Sequence, residues 1–343
     1  MSYFAEVSKS NIDEYLSKYS LIACGLRNSR IKAKQTAVLE MLFSQFDNEV
    51  LFIPNGPLGD IKGLFSFFCP KKNLAAFKEK LFGTGYCDKF YILDFEDDSF
   101  KNHTELKSIN PLVWKGRDFS IDYFFIQDSK IYEEHSPHNR EFKIEDSSGN
   151  VKTVFGYRGD GSELGRRSLP VEDARCMVNL SMPCKNKRAI DPFAGAGGIV
   201  YEYKYIAENY SITSIDIDPV LKPGLEFYGS SHYVMNAKDA SFPKDSFDSI
   251  ITEVPFSHNA LDGIIMAVNK ITECLTKDGL LVMMCKISQA ENIYKALLKQ
   301  GLLHLFNREI DRKGTGVEIS VWCMSKKFLS GMEDFLTVLK KTR

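Results

Sequence analysis

The sequence predicts an α/β protein in which a doubly wound sheet follows a smaller α+β domain. Three features support this fold class: a glycine-rich turn after a short apolar run near residue 190, acidic residues at the ends of the following apolar runs, and two apolar segments near the C-terminus that flank a polar turn. Doubly wound sheets bind ligands at the carboxyl edge of their strands. That edge is where a functional site is expected.

The segment Asp191-Pro-Phe-Ala-Gly-Ala-Gly-Gly198 is interpreted as a strand end, a tight turn and the start of a helix. Glycine adopts backbone conformations closed to other residues, so the N–H groups of such a turn can approach a ligand closely. Asp191 at the strand end can accept a hydrogen bond from an ammonium or a hydroxyl group. This combination is typical of a nucleoside-type cofactor site, although an ordinary strand-to-helix turn carries the same glycines.

Acidic residues also end the next three apolar runs. Asp216 ends the second run, Asp239 follows the third, and Glu253 ends the fourth. In a βαβ unit a ribose-binding carboxylate belongs near the position of Asp216. Surface turns carry aspartate too, so one acid alone is weak evidence. The ordered series indicates a site along one edge of a sheet.

The remaining apolar patterns complete this sheet. Helical spacing is predicted for 260–275 and 291–300, and a buried strand for 279–286. The segments 302–306 and 316–324 are predicted to form an antiparallel pair around a polar turn.

These features resemble motif I of the class I S-adenosylmethionine (SAM) methyltransferases, in the form found in tRNA guanine-N2 methyltransferases that often carry a THUMP domain. That family has a helix rich in Leu, Ala and Asn before the motif, and Leu169–Leu180 occupies its place. The resemblance covers roughly residues 155–325. It implies a Rossmann-like class I fold with a C-terminal antiparallel hairpin, an enzymatic activity, and SAM as the cofactor.

The resemblance also implies which residues bind the cofactor. Asp191 and the glycine turn would position SAM, Asp216 would hold the ribose hydroxyls, and Asp239 would recognise the adenine amine. The implied cofactor-binding residues are Asp191, Phe193, Gly195, Gly197, Asp216, Asp239 and Ala240.

The segment after the fourth strand departs from the family pattern. Methyltransferases that act on exocyclic amines carry Asp/Asn-Pro-Pro-Tyr/Phe there, whereas this chain has Glu253-Val254-Pro255-Phe256. A planar amino group needs an acceptor aligned with its N–H and a surface on which to stack. We expect Glu253, together with the Val254 or Pro255 carbonyl, to supply the acceptor and Phe256 the stacking surface. The implied catalytic residues are Glu253, Pro255 and Phe256.

Composition limits the other possibilities. The 343 residues carry a formal net charge of −1, so an RNA-binding surface would have to be local. No apolar run approaches the roughly 18 residues of a membrane span, and the N-terminus does not resemble a signal peptide. The eight cysteines form no Cys-x-x-Cys pair. We therefore expect reduced thiols, no metal site and a cytoplasmic protein.

Three regions are predicted: an α+β domain at 1–100 that would serve as an RNA-binding appendage, a β-rich connection at 101–155, and the methyltransferase domain at 156–343. In the first region the spacing predicts helices at 31–46 and 74–81.

Strands are predicted at 50–54 and 90–94, and a hairpin at 140–155. The basic residues 27–34 and the Gly- and Arg-rich segment 156–167 can contact phosphate, but a solvated helix face or a linker has the same composition.

The resulting hypothesis is a SAM-dependent methyltransferase that acts on an exocyclic base amine, guanine N2 in tRNA, with RNA and a protein subunit as partners. The altered Glu253-Val254 pair keeps open a second class, a SAM-binding RNA-associated or scaffold protein without transfer activity. A DNA or protein amine methyltransferase is a third hypothesis. A nicotinamide dehydrogenase is disfavoured because the turn lacks the full G-x-G-x-x-G spacing.

Overall fold

The computed structural model describes residues 3–27, 33–57, 63–94, 114, 120–126, 141–145, 151–155, 169–185, 188–207, 211–312 and 314–341. The chain divides into two compact units, Met1–Ser129 with Ser330–Arg343, and Lys130–Leu329. The Gly- and Arg-rich segment 156–167 lies outside the described residues, as do residues 28–32 of the basic set.

The first unit contains an antiparallel five-stranded sheet. Its strands are β1 (Tyr19–Leu26), β2 (Leu51–Ile53), β3 (Leu64–Pro70), β4 (Cys87–Asp94) and β5 (Ser120–Ile126). They are arranged in the order β2-β3-β1-β4-β5.

Within the described part of the first hundred residues, three α-helices belong to this unit. They are α1 (Ile12–Lys18), α2 (Ala33–Ser44) and α3 (Leu74–Lys80). Helices α2 and α3 and strands β2 and β4 confirm the predicted elements. Strands β1 and β3 were not predicted, because their continuous apolar runs show no alternation: every residue of β3 is buried.

The C-terminal helix belongs in part to this first unit. The Phe335 ring centroid lies 5.9 Å from that of Tyr3 and 6.2 Å from that of Phe52. Gln35 Nε2 donates to the Leu339 carbonyl at 3.3 Å. These contacts group residues 330–343 with the N-terminal unit, which differs from the predicted 156–343 domain. An amphipathic helix packs on the apolar surface available to it, and sequence position does not identify that surface.

The second unit contains a seven-stranded sheet. The strands are β8 (Arg188–Asp191), β9 (Ser211–Asp216), β10 (Ser231–Val234), β11 (Phe247–Glu253), β12 (Leu275–Lys286), β13 (Leu303–Arg312) and β14 (Thr315–Cys323). They are arranged in the order β10-β9-β8-β11-β12-β14-β13. The first five strands in spatial order are parallel, and β14 and β13 complete the sheet as an antiparallel pair. A separate hairpin precedes them, formed by β6 (Glu141–Glu145) and β7 (Val151–Phe155), which confirms the predicted one.

This strand order is that of the class I methyltransferase fold, as predicted. The chain begins in the middle of the sheet at β8, proceeds outward through β9 and β10, and then returns to β11 on the other side. The strand order therefore reverses between β8 and β11, and such a switch point opens a crevice at the carboxyl ends of the strands.

The described helices of this unit are α4 (Val171–Leu180), α5 (Gly198–Ile206), α6 (Lys222–Phe227), α7 (Leu261–Thr272), α8 (Ile287–Lys299) and the start of α9 (Lys326–Lys341). Helices α7 and α8 contribute Ile264, Ile271 and Ile293 to a core cluster that also contains Ile190 and Ile250 of the sheet.

Helix α4 is held to α5 by a buried ion pair. Arg175 Nε donates to Glu202 Oε2 at 2.7 Å, and neither side chain exceeds 1% exposure. The Arg175 guanidinium also lies 4.8 Å from the ring centroid of Tyr205. Removing one member would leave an uncompensated buried charge, so the pair fixes α4 beside the helix that follows the glycine turn.

Two expectations from composition concern the cysteines and membrane-spanning segments. All eight cysteines lie among them, and each is a free thiol; seven are buried and Cys184 is half-buried. None of the described helices is both long and apolar enough to traverse a bilayer.

Candidate functional site

The predicted site residues meet at the carboxyl edge of the sheet, around the switch point. Asp191 ends β8, Asp216 ends β9 and Glu253 ends β11. These strands are adjacent and parallel in the order β9-β8-β11, so their ends lie side by side. The charges of Asp216 and Glu253 both act on Asp191 and raise the pKa of its carboxyl, after the larger effect of burial.

The glycine turn depends on two left-handed residues. Gly195 has φ +51° and Gly197 has φ +87°, a region that side-chain-bearing residues rarely adopt. A Cβ on Gly197 would lie 2.9 Å from Cδ2 of Leu225, whereas one on Gly195 would meet no described atom within 4 Å. Gly197 therefore allows close packing against α6, and Gly195 borders open space.

The Asp216 carboxylate holds this turn in place. Its Oδ2 accepts from the Gly195 N–H at 2.9 Å, and its Oδ1 accepts from the Asp218 N–H at 2.9 Å. The Ala194 N–H donates to the Ile215 carbonyl at 2.9 Å. The half-buried side chain keeps further lone pairs for hydroxyl donors. The same acid thus orients the turn and can accept from a ligand.

Asp191 is buried, with 1% of its surface exposed. Its Oδ1 accepts from Thr252 Oγ1 at 2.7 Å and from the Phe193 N–H at 3.1 Å. Burial is the main cause that raises the pKa of Asp191 to about 7, and the two hydrogen bonds oppose that rise. A cation beside Asp191 would reverse this effect and favour the carboxylate.

Asp239 is exposed, unlike buried Asp191 and half-buried Asp216. It ends a 3₁₀ turn, Ala237–Asp239, that follows β10. Asn236 caps this turn by accepting from the Lys238 N–H at 3.2 Å. Ala240 is fully buried, and Phe193 packs against the core cluster of the sheet. Asp239 and Ala240 thus follow the end of β10, the neighbour of β9 in the sheet, and Phe193 follows the end of β8.

The segment 253–256 leaves the sheet at the same edge. The Val254 N–H donates to the Met284 carbonyl at 2.9 Å, which extends the pairing of β11 with β12 by one residue. Gln289 Nε2 donates to the Pro255 carbonyl at 3.0 Å. Lys286 Nζ lies 5.9 Å from the ring centroid of Phe256. The segment is therefore held by main-chain and side-chain contacts from β12 and α8.

Three residues at this edge were not identified from the sequence. Thr252 links the ends of β8 and β11, and Gln289 contacts the segment 253–256. Ile217, which follows Asp216, is 68% exposed and provides an apolar surface beside the turn. An apolar residue directly after a strand-end acid was the available signal for Ile217. The other two contacts join residues 61 and 34 positions apart and have no local signal.

Known proteins with similar sequences include tRNA methyltransferases. No family profile matches the chain. A tRNA (guanine(10)-N2)-dimethyltransferase of Pyrococcus abyssi is 34% identical over 121 residues, which cover 31% of this chain and 36% of that protein. A probable tRNA (guanine(10)-N2)-dimethyltransferase of Methanothermococcus thermolithotrophicus is 31% identical over 123 residues, which cover 32% of this chain and 76% of that protein. The chain belongs to this methyltransferase family.

The residues matched in these two relatives make up about a third of the chain, 31% and 32%. The chain spans about a third of the length of the Pyrococcus relative, 36%. Among solved structures, TrmN from Thermus thermophilus is 18% identical with a TM-score of 0.40, and the match covers 48% of this chain and 52% of that chain.

Proposed function

We propose that the protein is a SAM-dependent methyltransferase that modifies an exocyclic base amine, guanine N2 in tRNA. One observation carries the proposal: the acid-supported glycine turn and the segment 253–256 open onto the same crevice edge. The proposed cofactor site and acceptor site would then be adjacent, as methyl transfer requires. The two family members described above are named for this reaction, which supports the choice of base and RNA.

The residues at the turn fit SAM. The space beside Gly195 is open on the side of an added Cβ, Asp216 can accept from ribose hydroxyls, and exposed Ile217 can contact an adenine face. Asp191 would balance the positive charge of the cofactor, and Asp239 would accept from its adenine amine. When bound, SAM supplies an activated methyl group on a sulfonium.

The chain would contribute mainly alignment to the transfer. The target base must leave its stack to reach the crevice, and Phe256 offers a ring on which it can stack. Glu253 and the Val254 carbonyl would accept hydrogen bonds from the amine and direct its lone pair at the methyl carbon. Glu253 would then accept the proton that the methylated nitrogen loses. Correct alignment accounts for a large part of the rate in such reactions.

The remaining parts of the proposal concern partners and regions. We propose that the first unit contributes RNA contacts, because the chain has a net charge of only −1 and a substrate as anionic as tRNA needs a local binding surface. A protein subunit and a cytoplasmic location remain predictions from the sequence.

The test is transfer of labelled methyl from SAM to total tRNA, followed by nucleoside digestion and mass spectrometry. We expect N2-methylguanosine with the wild type and a decrease of at least 100-fold with Glu253→Ala, because the amine loses its acceptor. Asp278→Asn, an exposed acid near the start of β12, is the control and should retain full activity.

A second candidate function rests on the length of Glu253, one methylene more than the family pattern. In that case the protein binds SAM without transferring methyl. Binding of SAM by calorimetry with no incorporation into any tRNA would favour this candidate and reject the enzymatic proposal.

A further inference from the structure

We propose that Gln289 is a positioning residue for methyl transfer: it holds the segment 253–256 in the conformation that presents Glu253, the Val254 carbonyl and Phe256 to the target base. This inference rests on the proposed function. It assigns a role to a residue of α8, about 30 positions from the segment that it contacts.

Both ends of the Gln289 amide are engaged. Its Nε2 donates to the Pro255 carbonyl at 3.0 Å, and its Oε1 accepts from the Lys286 N–H at 3.2 Å. The side chain is 4% exposed, so water does not readily replace these bonds. One partner is an acceptor and the other is a donor, which determines the orientation of the amide. Gln289 therefore links the β12–α8 junction to the segment.

A second tether acts on the preceding residue. The Val254 N–H donates to the Met284 carbonyl at 2.9 Å. The family pattern has proline at this position, which restricts φ but has no N–H to donate. In this chain a hydrogen bond to β12 and the Gln289 amide restrain consecutive residues. We infer that these two tethers replace the rigidity that the missing proline would supply.

The tethers also restrain the groups that flank Pro255. Gln289 fixes the position of the Pro255 carbonyl, so the placement of the neighbouring Glu253 carboxylate and Val254 carbonyl depends on this contact. We expect the same restraint to determine the direction of the Phe256 side chain. A displacement of about 1 Å at such a position costs on the order of a hundredfold in rate. Loss of the Gln289 contact should therefore affect transfer much more than cofactor binding.

The experiment compares two variants with a matched control. Gln289→Glu keeps the acceptor for the Lys286 N–H and replaces the donor that faces Pro255. Gln289→Met has similar volume and removes both interactions. The control is Glu291→Gln, which changes an exposed residue on the same helix whose carboxylate pairs with exposed Lys295.

We expect both Gln289 variants to bind SAM within about threefold of the wild type. Their single-turnover methylation of saturating tRNA should be 10- to 100-fold slower. Hydrogen exchange at the Val254 amide should be at least tenfold faster, because the segment has lost one tether. Glu291→Gln should match the wild type in all three measurements.

Wild-type transfer rates and wild-type Val254 exchange in both variants would overturn the proposal. So would an equal loss of SAM affinity and transfer, since that result means a general structural role. If the wild type itself transfers no methyl, the proposed function fails, and the exchange measurement still decides whether Gln289 restrains the segment.

Discussion

The two halves of the candidate site are built in different ways. The cofactor half is formed by a turn whose glycines and acids lie within about 25 residues of one another, from Asp191 to Asp216. The acceptor half, residues 253–256, is restrained by Met284 and Gln289, about 30 residues further along the chain. The first half depends on local backbone conformation, and the second depends on correct packing of β12 and α8. Substitutions in the cofactor half should therefore mainly change SAM affinity, and those in the acceptor half should mainly change the rate of methyl transfer.

The largest effect is expected at Gly197. Gly197→Ala places a Cβ on a residue with φ +87°, and that Cβ lies 2.9 Å from Leu225. We therefore expect the free energy of unfolding to fall by about 2–4 kcal/mol and the affinity for SAM to fall at least tenfold. Gly195→Ala, at φ +51° in open space, should cost only about 1 kcal/mol. Denaturant unfolding and SAM calorimetry measure both. Equal costs for the two variants would mean that the close approach to Leu225 is not important.

The raised pKa of Asp191 predicts how the stability of the protein changes with pH. The pKa of Asp191 is raised to about 7 in the folded state, mainly by burial, so ionisation opposes folding. The stability associated with the neutral acid is complete below pH of about 4, and it is lost as the pH rises through about 7.

Asp191→Asn removes this loss. Above pH 7 we expect the variant to gain on the order of 2–4 kcal/mol in unfolding free energy over the wild type, and little below pH 4. SAM, a cation, should bind the wild type more weakly below pH 7, by about tenfold per pH unit, and the variant should not show this slope. A wild-type SAM affinity that is constant from pH 5 to 8 would contradict the assignment.

A smaller effect is expected when the family pattern is restored in the acceptor half. Val254→Pro recreates the double proline but removes the N–H that donates to the Met284 carbonyl. We expect a loss of about 1 kcal/mol in unfolding free energy and transfer three- to tenfold slower, with unchanged SAM affinity. Val254→Ala keeps the N–H and serves as the control for side-chain volume. Faster transfer by Val254→Pro would show that the proline pattern, and not the hydrogen bond, is the better restraint.

Local signals in the sequence predicted much of the second unit. The class I fold, the strand-end positions of Asp191, Asp216 and Glu253, and the terminal antiparallel pair were predicted because apolar periodicity, glycines and turn residues report on nearby backbone. Strands β1 and β3 were missed for the opposite reason: a short, wholly buried apolar run has the same pattern in a strand as in a buried helix.

The sequence by itself determined the order of the elements in the second unit and the position of the glycine turn. Glycine permits the positive φ that this turn adopts at Gly195 and Gly197, so the residue types indicate where the turn lies. Only the tertiary structure decided that Thr252 supports Asp191, that Gln289 holds Pro255, and that the last helix packs on Phe52. These contacts join segments distant in sequence, and their energy arises only when packing brings buried donors, acceptors and rings together.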